Sequence, residues 1–287
     1  MIERQRAYGR RLCEGVMRFS QTRDDWVLEM LEWEDPEHPQ RLRDFDGFIV
    51  RALTAKTAEA FARTGKPVVD VYANAPFSGI ATVDQFARYI GQLAVRHFVE
   101  HRFTRFAFFG HEGIRYSDLR RDAFVECLRL NRMSCDVYPT PTSTIRDFDF
   151  SVMKLERYSA GREERSIRKW LKGLEKPVAI FCSHDLRAYQ LIRVCKAAGI
   201  RVPEDVAVLG VDNDEFICNF VAPSISSIDP AAEEIGHTAA RTLAGIMDGT
   251  GTPVQIRVKP KGLIERGSTK IFPIDPPWLS DALVFIR

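Results

Sequence analysis

Long hydrophobic runs are missing from this chain. Across its 287 residues no apolar stretch approaches the roughly 20 residues that span a bilayer, and no signal-peptide pattern precedes the first element. Cysteine is scarce and unpatterned: Cys13, Cys127, Cys135, Cys182, Cys195 and Cys218 include no Cys-x-x-Cys pair. Several lie in apolar contexts where a reduced thiol packs as a small hydrophobe. A soluble, reduced, cytoplasmic protein is therefore expected. An excess of one charge is also lacking, with 41 Lys and Arg against 39 Asp and Glu. That balance argues against a chain devoted to phosphate backbone, which concentrates basic residues on one face. The arginine-rich run 162–168 carries both signs and reads as a solvated helix face. No Gly-x-Gly-x-x-Gly follows a strand, and there is neither a Gly-Lys-Ser/Thr loop nor a Gly-x-Ser-x-Gly elbow. Nucleotide phosphates have no evident cradle.

What is present is alternation. Helical patterns at 55–63, 86–101, 118–131, 163–174 and 233–247 are interleaved with short apolar runs at 48–50, 68–71, 105–109, 178–182 and 206–211. Such alternation implies α/β architecture, with parallel sheets covered by helices on both faces. Leu12, Val16 and Phe19 share one face of an opening helix, Gly65 and Pro67 stop the helix at 55–63, and Val254 to Val258 alternates as an edge strand does. Residues 26–33 fit a strand or a short helix, and the Pro/Thr/Ser/Asp-rich stretch 139–149 reads as a loop. Only the end of an opening strand precedes the first helix, so that strand is expected to be clipped. Two sets of βα units, with Gly110 near the seam, point to two lobes with a cleft between them.

The stretch 177–230 organises the rest. Its two apolar runs break abruptly at Ser183-His184-Asp185 and at Asp212-Asn213-Asp214, with one helical pattern between them. In open parallel sheets ligands bind beyond the carboxyl ends of the strands, which makes Asp185 and Asp212 the first candidates. Singly, each also fits a structural role, as a helix N-cap or a turn former. His97-Phe-Val-Glu100-His101 matches the inverted zincin pattern, with two imidazoles one helical turn apart. A third ligand is not evident, so a packed His97 with Glu100 and His101 in solvent is expected, and no metal.

At these residues the chain resembles a known family. Ala179-Ile-Phe-Cys-Ser-His-Asp185, Gly199-Ile-Arg-Val-Pro-Glu-Asp205-Val-Ala-Val-Leu-Gly210-Val-Asp212 and Pro223-Ser-Ile-Ser-Ser-Ile are similar to the effector domain of LacI-type repressors and their periplasmic sugar-binding relatives. Arg6-Ala-Tyr8-Gly-Arg, Arg105-Phe-Ala-Phe-Phe-Gly110, Leu263-Ile-Glu-Arg266 and Asp275-Pro through Ala282 to Phe285-Ile-Arg287 resemble the xylose operon regulators. Those are activators that join a LacI-like sugar domain to a C-terminal AraC-type DNA-binding domain. The resemblance implies a periplasmic binding protein-like fold of two doubly wound lobes. The N-terminal lobe would take 1–109 and 231–250, the C-terminal lobe 110–230 and 251–272. Residues 273–287 would be a linker and the first helix of an AraC-type domain whose helix-turn-helix elements are missing, through a cut or a truncated gene product.

The resemblance also implies a site. Arg120 would fork onto sugar hydroxyls, and Asp212, with Asn213 beside it, would accept from two adjacent hydroxyls. His184 and Asp185 stand where the family has a polar pair, usually Asn-Asp. Tyr8 lies on the first N-lobe loop, Asp84 is a further N-lobe contact, and Tyr116 is either a stacking platform or a core or interface residue. The expected function is sugar sensing without catalysis, with D-xylose or a related pentose closing the lobes of a homodimer. DNA would be reached only through the missing domain, and no cofactor or membrane is implied. Two other functions compete: a transport-type sugar-binding protein of the same fold, and an α/β enzyme using clustered Asp, His and Arg as acid and base.

Overall fold

A computed structural model describes residues 2, 4, 6–31, 42–51, 55–72, 80–140 and 163–270. The chain divides into two compact units, Met1–Phe86 with Ala231–Lys259 and Ala87–Pro230 with Pro260–Arg287.

In the first unit, β1 (Phe48–Val50), β2 (Val68–Asp70), β3 (Ala81–Gln85) and β9 (Gln255–Val258) pair in that order, all parallel. Helix α1 (Ala7–Ser20) packs on α8 (Ala232–Met247), and α2 (Ala55–Ala62) covers β1 and β2. Leu12 of α1 meets Ile235, Ala239 and Leu243 of α8 in the core, and Val16 of the same helix is buried. This crossing brings backbone against backbone: a Cβ on Gly15 would lie 1.9 Å from the Glu233 carbonyl oxygen, and one on Gly236 2.0 Å from that of Leu12. Glycine is what lets two helices approach so closely.

In the second unit the strands are β4 (Phe106–Phe109), β5 (Asp136–Val137), β6 (Val178–Cys182), β7 (Val206–Val211), β8 (Ser226–Asp229) and β10 (Gly262–Ile264). Their order is β10-β8-β7-β6-β4-β5, with only β10 antiparallel. The helices are α3 (Ala87–Glu100), α4 (Arg115–Leu130), α5 (Glu164–Gly173), α6 (Asp185–Ala197) and the short α7 (Glu215–Asn219). Ala179, Phe181, Ala207 and Leu209 face Phe98 and Phe124 on one side of the sheet. Val178, Ile180, Val206 and Val208 face Leu171, Leu191 and Cys195 on the other. A strand buried on both faces needs apolar residues at every position, which explains the uninterrupted runs in the sequence.

The units divide differently from the lobes expected from sequence. Residues 87–109 belong to the second unit, because Gly91 of α3 lies against the backbone of Ala123 and Phe124 of α4, and β4 pairs with β6 from Phe106↔Ala179 onward. Residues 251–259 belong to the first, because β9 pairs with β3 from Thr82↔Gln255 to Gln85↔Val258. Strands β3, β5, β8 and β10 and helix α7 were not anticipated; they are too short or too polar to announce themselves. Residues 26–31 form neither strand nor helix. The expected AraC-like helix and most of the 139–149 loop lie outside the described residues.

Candidate functional site

Strands β4, β6 and β7 lie side by side and parallel, so their carboxyl ends deliver Gly110-His111, Ser183-His184 and Asp212-Asn213 to one edge of the second sheet. Arg120 reaches the same edge from the second turn of α4, and it is buried. Its Nη2 donates to Asp212 Oδ1 at 3.1 Å, Nη1 donates to the Ser183 carbonyl, and its guanidinium sits 5.5 Å from the centre of the Tyr116 ring one turn earlier. The Tyr116 ring meets His184 edge-on at 5.7 Å, and His184 lies 6.0 Å from His111. His184 Nδ1 is 3.0 Å from the Ser183 hydroxyl oxygen. The fold thus brings Tyr116, Arg120, His184, Asp212 and Asn213 together, with His111 among them.

The loop after β7 is strained. Asp212 has φ 105° and Asn213 φ 47°, in the left-handed region that non-glycine residues seldom occupy. Several contacts hold it there. Asp212 N–H donates to the Ile228 carbonyl (3.0 Å), Asn213 N–H to Ser227 Oγ (3.0 Å) and Asp214 N–H to Asp185 Oδ2 (2.8 Å). The Asp214 carboxylate then caps α7 by accepting from Ile217 N–H.

Asp185, placed among the ligand contacts by the resemblance, has a different part in this geometry. Its Oδ1 accepts from the Ser227 hydroxyl at 2.6 Å and its Oδ2 from Asp214, so both oxygens are spent inside the protein. It is a brace beneath the loop. Burial, and then the nearby Asp212 carboxylate, push its pKa up to about 8, against the hydrogen bonds from Ser227 and Asp214, which favour the charged form. Gly210 makes room for it: a Cβ there would stand 2.2 Å from Asp185 Oδ1.

In the first unit Tyr8 lies in the first turn of helix α1, not on the loop expected from the resemblance, because the helix already begins at Ala7. Arg51, just after β1, lies between the rings of Tyr8 (5.4 Å) and Tyr72 (5.2 Å), the latter just after β2. This cation–π stack stands at the carboxyl ends of the first sheet's strands. Asp84 lies within β3, buried, with Oδ2 bound to Arg257 of β9 at 3.0 Å and Oδ1 accepting from Gln85 N–H at 2.7 Å. Its carboxylate ties neighbouring strands together. Sequence reasoning missed Arg51, Tyr72 and His111. Each follows a short apolar run by one or two residues, which is the signal that already singled out Asp212.

The His97–His101 motif is structural. His97 Nε2 bonds Thr269 Oγ1 at 2.9 Å, and burial lowers its pKa to about 4. His101, expected in solvent, is half-buried and stands 3.2 Å from Glu265. Among the described residues no group of three His, Cys, Asp or Glu is arranged to hold a metal. Nor, among them, is any helix long and apolar enough to cross a membrane.

Comparison with known proteins defines the class. The chain belongs to the periplasmic binding protein-like domain family, whose model matches residues 95–269, and its fold is the LacI type. Within that class it is similar to the xylose operon regulatory protein of Haemophilus influenzae, at 28% identity over 98% of this chain and 72% of that protein. The corresponding protein of Escherichia coli K12 is 27% identical over 98% of this chain and 71% of its own length. Among solved structures, the xylose-binding transcription activator xylR superposes with a TM-score of 0.82 at 24% identity, over 100% of this chain and 73% of that one. A LacI family regulator from Enterococcus faecium with bound ribose gives 0.72 at 18%, over 96% and 98%. These homologues are transcription regulators, and the chain is a regulator effector domain of their type.

Proposed function

We propose that this chain senses a pentose, D-xylose, for a bacterial transcription regulator in the cytoplasm, and that it binds the sugar without transforming it. The observation that carries this reading is the pair of buried Arg120 and half-buried Asp212 at the edge of the second sheet, flanked by Tyr116 and His184, in a chain whose relatives along nearly its whole length are xylose operon regulators.

The chemistry suits a sugar. Desolvating a ring of hydroxyls must be offset by directed hydrogen bonds, each contributing about 1.5–3 kcal/mol when one partner is charged. A carboxylate accepts from two vicinal hydroxyls, while the guanidinium holding it can donate to their oxygens. Tyr116 and the two imidazoles supply flat surfaces for the apolar faces of the ring. In the first unit Tyr8, Arg51 and Tyr72 offer a guanidinium beside flat rings, and they are the proposed contacts there in place of Asp84. Sugar binding would draw the lobes together in a homodimer and pass that change to a DNA-binding domain beyond residue 272.

The test is a calorimetric titration against D-xylose and its epimers D-ribose, D-lyxose and L-arabinose, with hexoses and uronates alongside. Saturable heat with D-xylose and weaker heat with the epimers is expected. Heat from none of the panel defeats the sugar reading; strongest heat with another member moves the assignment to that sugar.

A further inference from the structure

We infer that Arg266 is a positioning residue that couples the strained Asp212–Asn213 loop to residues 264–270, the last described segment of the second unit. The inference rests on the proposed sugar site for its biological meaning, but its geometry stands alone. Arg266 is half-buried, and its Nη2 donates to Asn213 Oδ1 at 2.7 Å while Nη1 donates to the Ile225 carbonyl at 2.9 Å. One side chain therefore grips both the loop after β7 and the residue before β8.

The backbone around Arg266 is fastened to the same two strands. Arg266 N–H donates to Ser226 Oγ at 2.8 Å, and that hydroxyl donates to the Arg266 carbonyl at 3.0 Å. Two residues on, Ser268 Oγ donates to the Val208 carbonyl at 2.6 Å, and Val208 N–H donates to the Ser268 carbonyl at 2.9 Å. Thr269 Oγ1 is 2.7 Å from Ser226 Oγ and 2.9 Å from His97 Nε2, and Ser268 and Thr269 are both fully buried. Residues 266–269 are thus welded to β7, the strand that leads into Asp212, and Arg266 carries the weld to the loop itself.

This arrangement has a physical consequence. Asp212 and Asn213 hold a high-energy backbone conformation only because surrounding contacts over-determine it. A change in what the Asp212 carboxylate binds alters the balance of those contacts. Asn213 passes the change to Arg266, which lies four residues before Lys270, the last described residue. Residues 264–270 therefore report on the loop.

Amide hydrogen exchange of the full 287-residue chain tests this. Asp212→Asn, which changes the loop's charge without emptying the site, should shift exchange across 264–270 by about fivefold or more, the lower end of ordinary coupling between sites. In an Arg266→Ala background the shift should vanish while the 212–214 loop still responds. Asn213→Ala removes the same hydrogen bond from the other side and should also abolish it, which covers the case of an unstable Arg266 variant. An equal shift in all backgrounds, or none in any, overturns the coupling. A parallel arm with D-xylose separates the two readings: the Asp212→Asn pattern as expected, with no response to any sugar, leaves the coupling standing and removes the sugar.

Discussion

At the scale of single residues, the Arg120–Asp212 pair decides what a useful mutation is. The Arg120 side chain is 3% exposed and that of Asp212 20%. Truncating Asp212 to alanine removes the carboxylate partner of a buried guanidinium, a loss of about 3–5 kcal/mol, so the fold would suffer along with the site. Asp212→Asn keeps an acceptor for Arg120 and removes the charge. It is expected to weaken sugar binding about 10- to 100-fold by calorimetry while shifting the thermal midpoint only slightly; unchanged affinity would show that Asp212 does not hold the ligand. His97 yields a second prediction. The unfolded chain takes up its proton near pH 6.5 and the folded protein only near 4, so acid between those values favours unfolding. The contribution is present in full above 6.5 and amounts to about 3 kcal/mol lost by pH 4. His97→Gln can still bond Thr269, and its urea-unfolding free energy should fall less steeply over that range than the wild type's. Parallel curves would mean that His97 is protonated in the folded state.

At the scale of elements, close approach dominates. The α1–α8 crossing has no space for a methyl group at Gly15 or Gly236. Gly236→Ala gains about 1 kcal/mol of helix propensity, but overpacking against the Leu12 carbonyl costs about 1–3 kcal/mol and requires the helices to part. Net destabilisation is therefore expected, seen as a lower urea midpoint by circular dichroism, and a raised midpoint would show that the helices separate freely. The helices and the central strands were legible because their patterns are long: Leu12 and Val16 mark one helical face, and the unbroken runs at β6 and β7 mark strands covered on both sides. β3 was not, since Thr82, Asp84 and Gln85 are polar residues buried by pairing and ion-pair contacts to β9. Periodicity cannot register burial of that kind.

At the scale of the whole molecule, the chain passes between its two units at three places, after Phe86, Pro230 and Lys259. Each unit takes its last elements from sequence far beyond its first, so neither is a continuous stretch that could be cut free. A ligand that binds only the folded chain stabilises it by about 2.7 kcal/mol at a hundredfold excess over Kd. For D-xylose this should appear as a rise of several degrees in the unfolding midpoint. A flat midpoint across the sugar panel would contradict sugar sensing at the level of the entire domain.

By itself the sequence determined the α/β class, the family, and the residues at the ends of β6 and β7, because chain direction and apolar runs place strand ends without any knowledge of neighbours. It also nominated Arg120, through a resemblance and not through spacing. Tertiary structure alone decided the rest. It made Asp185 a brace and Asp212 the outward carboxylate, since the difference lies in the partners Ser227 and Asp214 supply. It drew Arg51 and Tyr72 to Tyr8, moved α3 and β4 into the second unit, and joined Arg266 to Asn213 across 53 residues of chain. Hydrogen bonds and ion pairs between distant segments leave no period in a sequence, and which carboxylate they consume is known only once the strands are side by side.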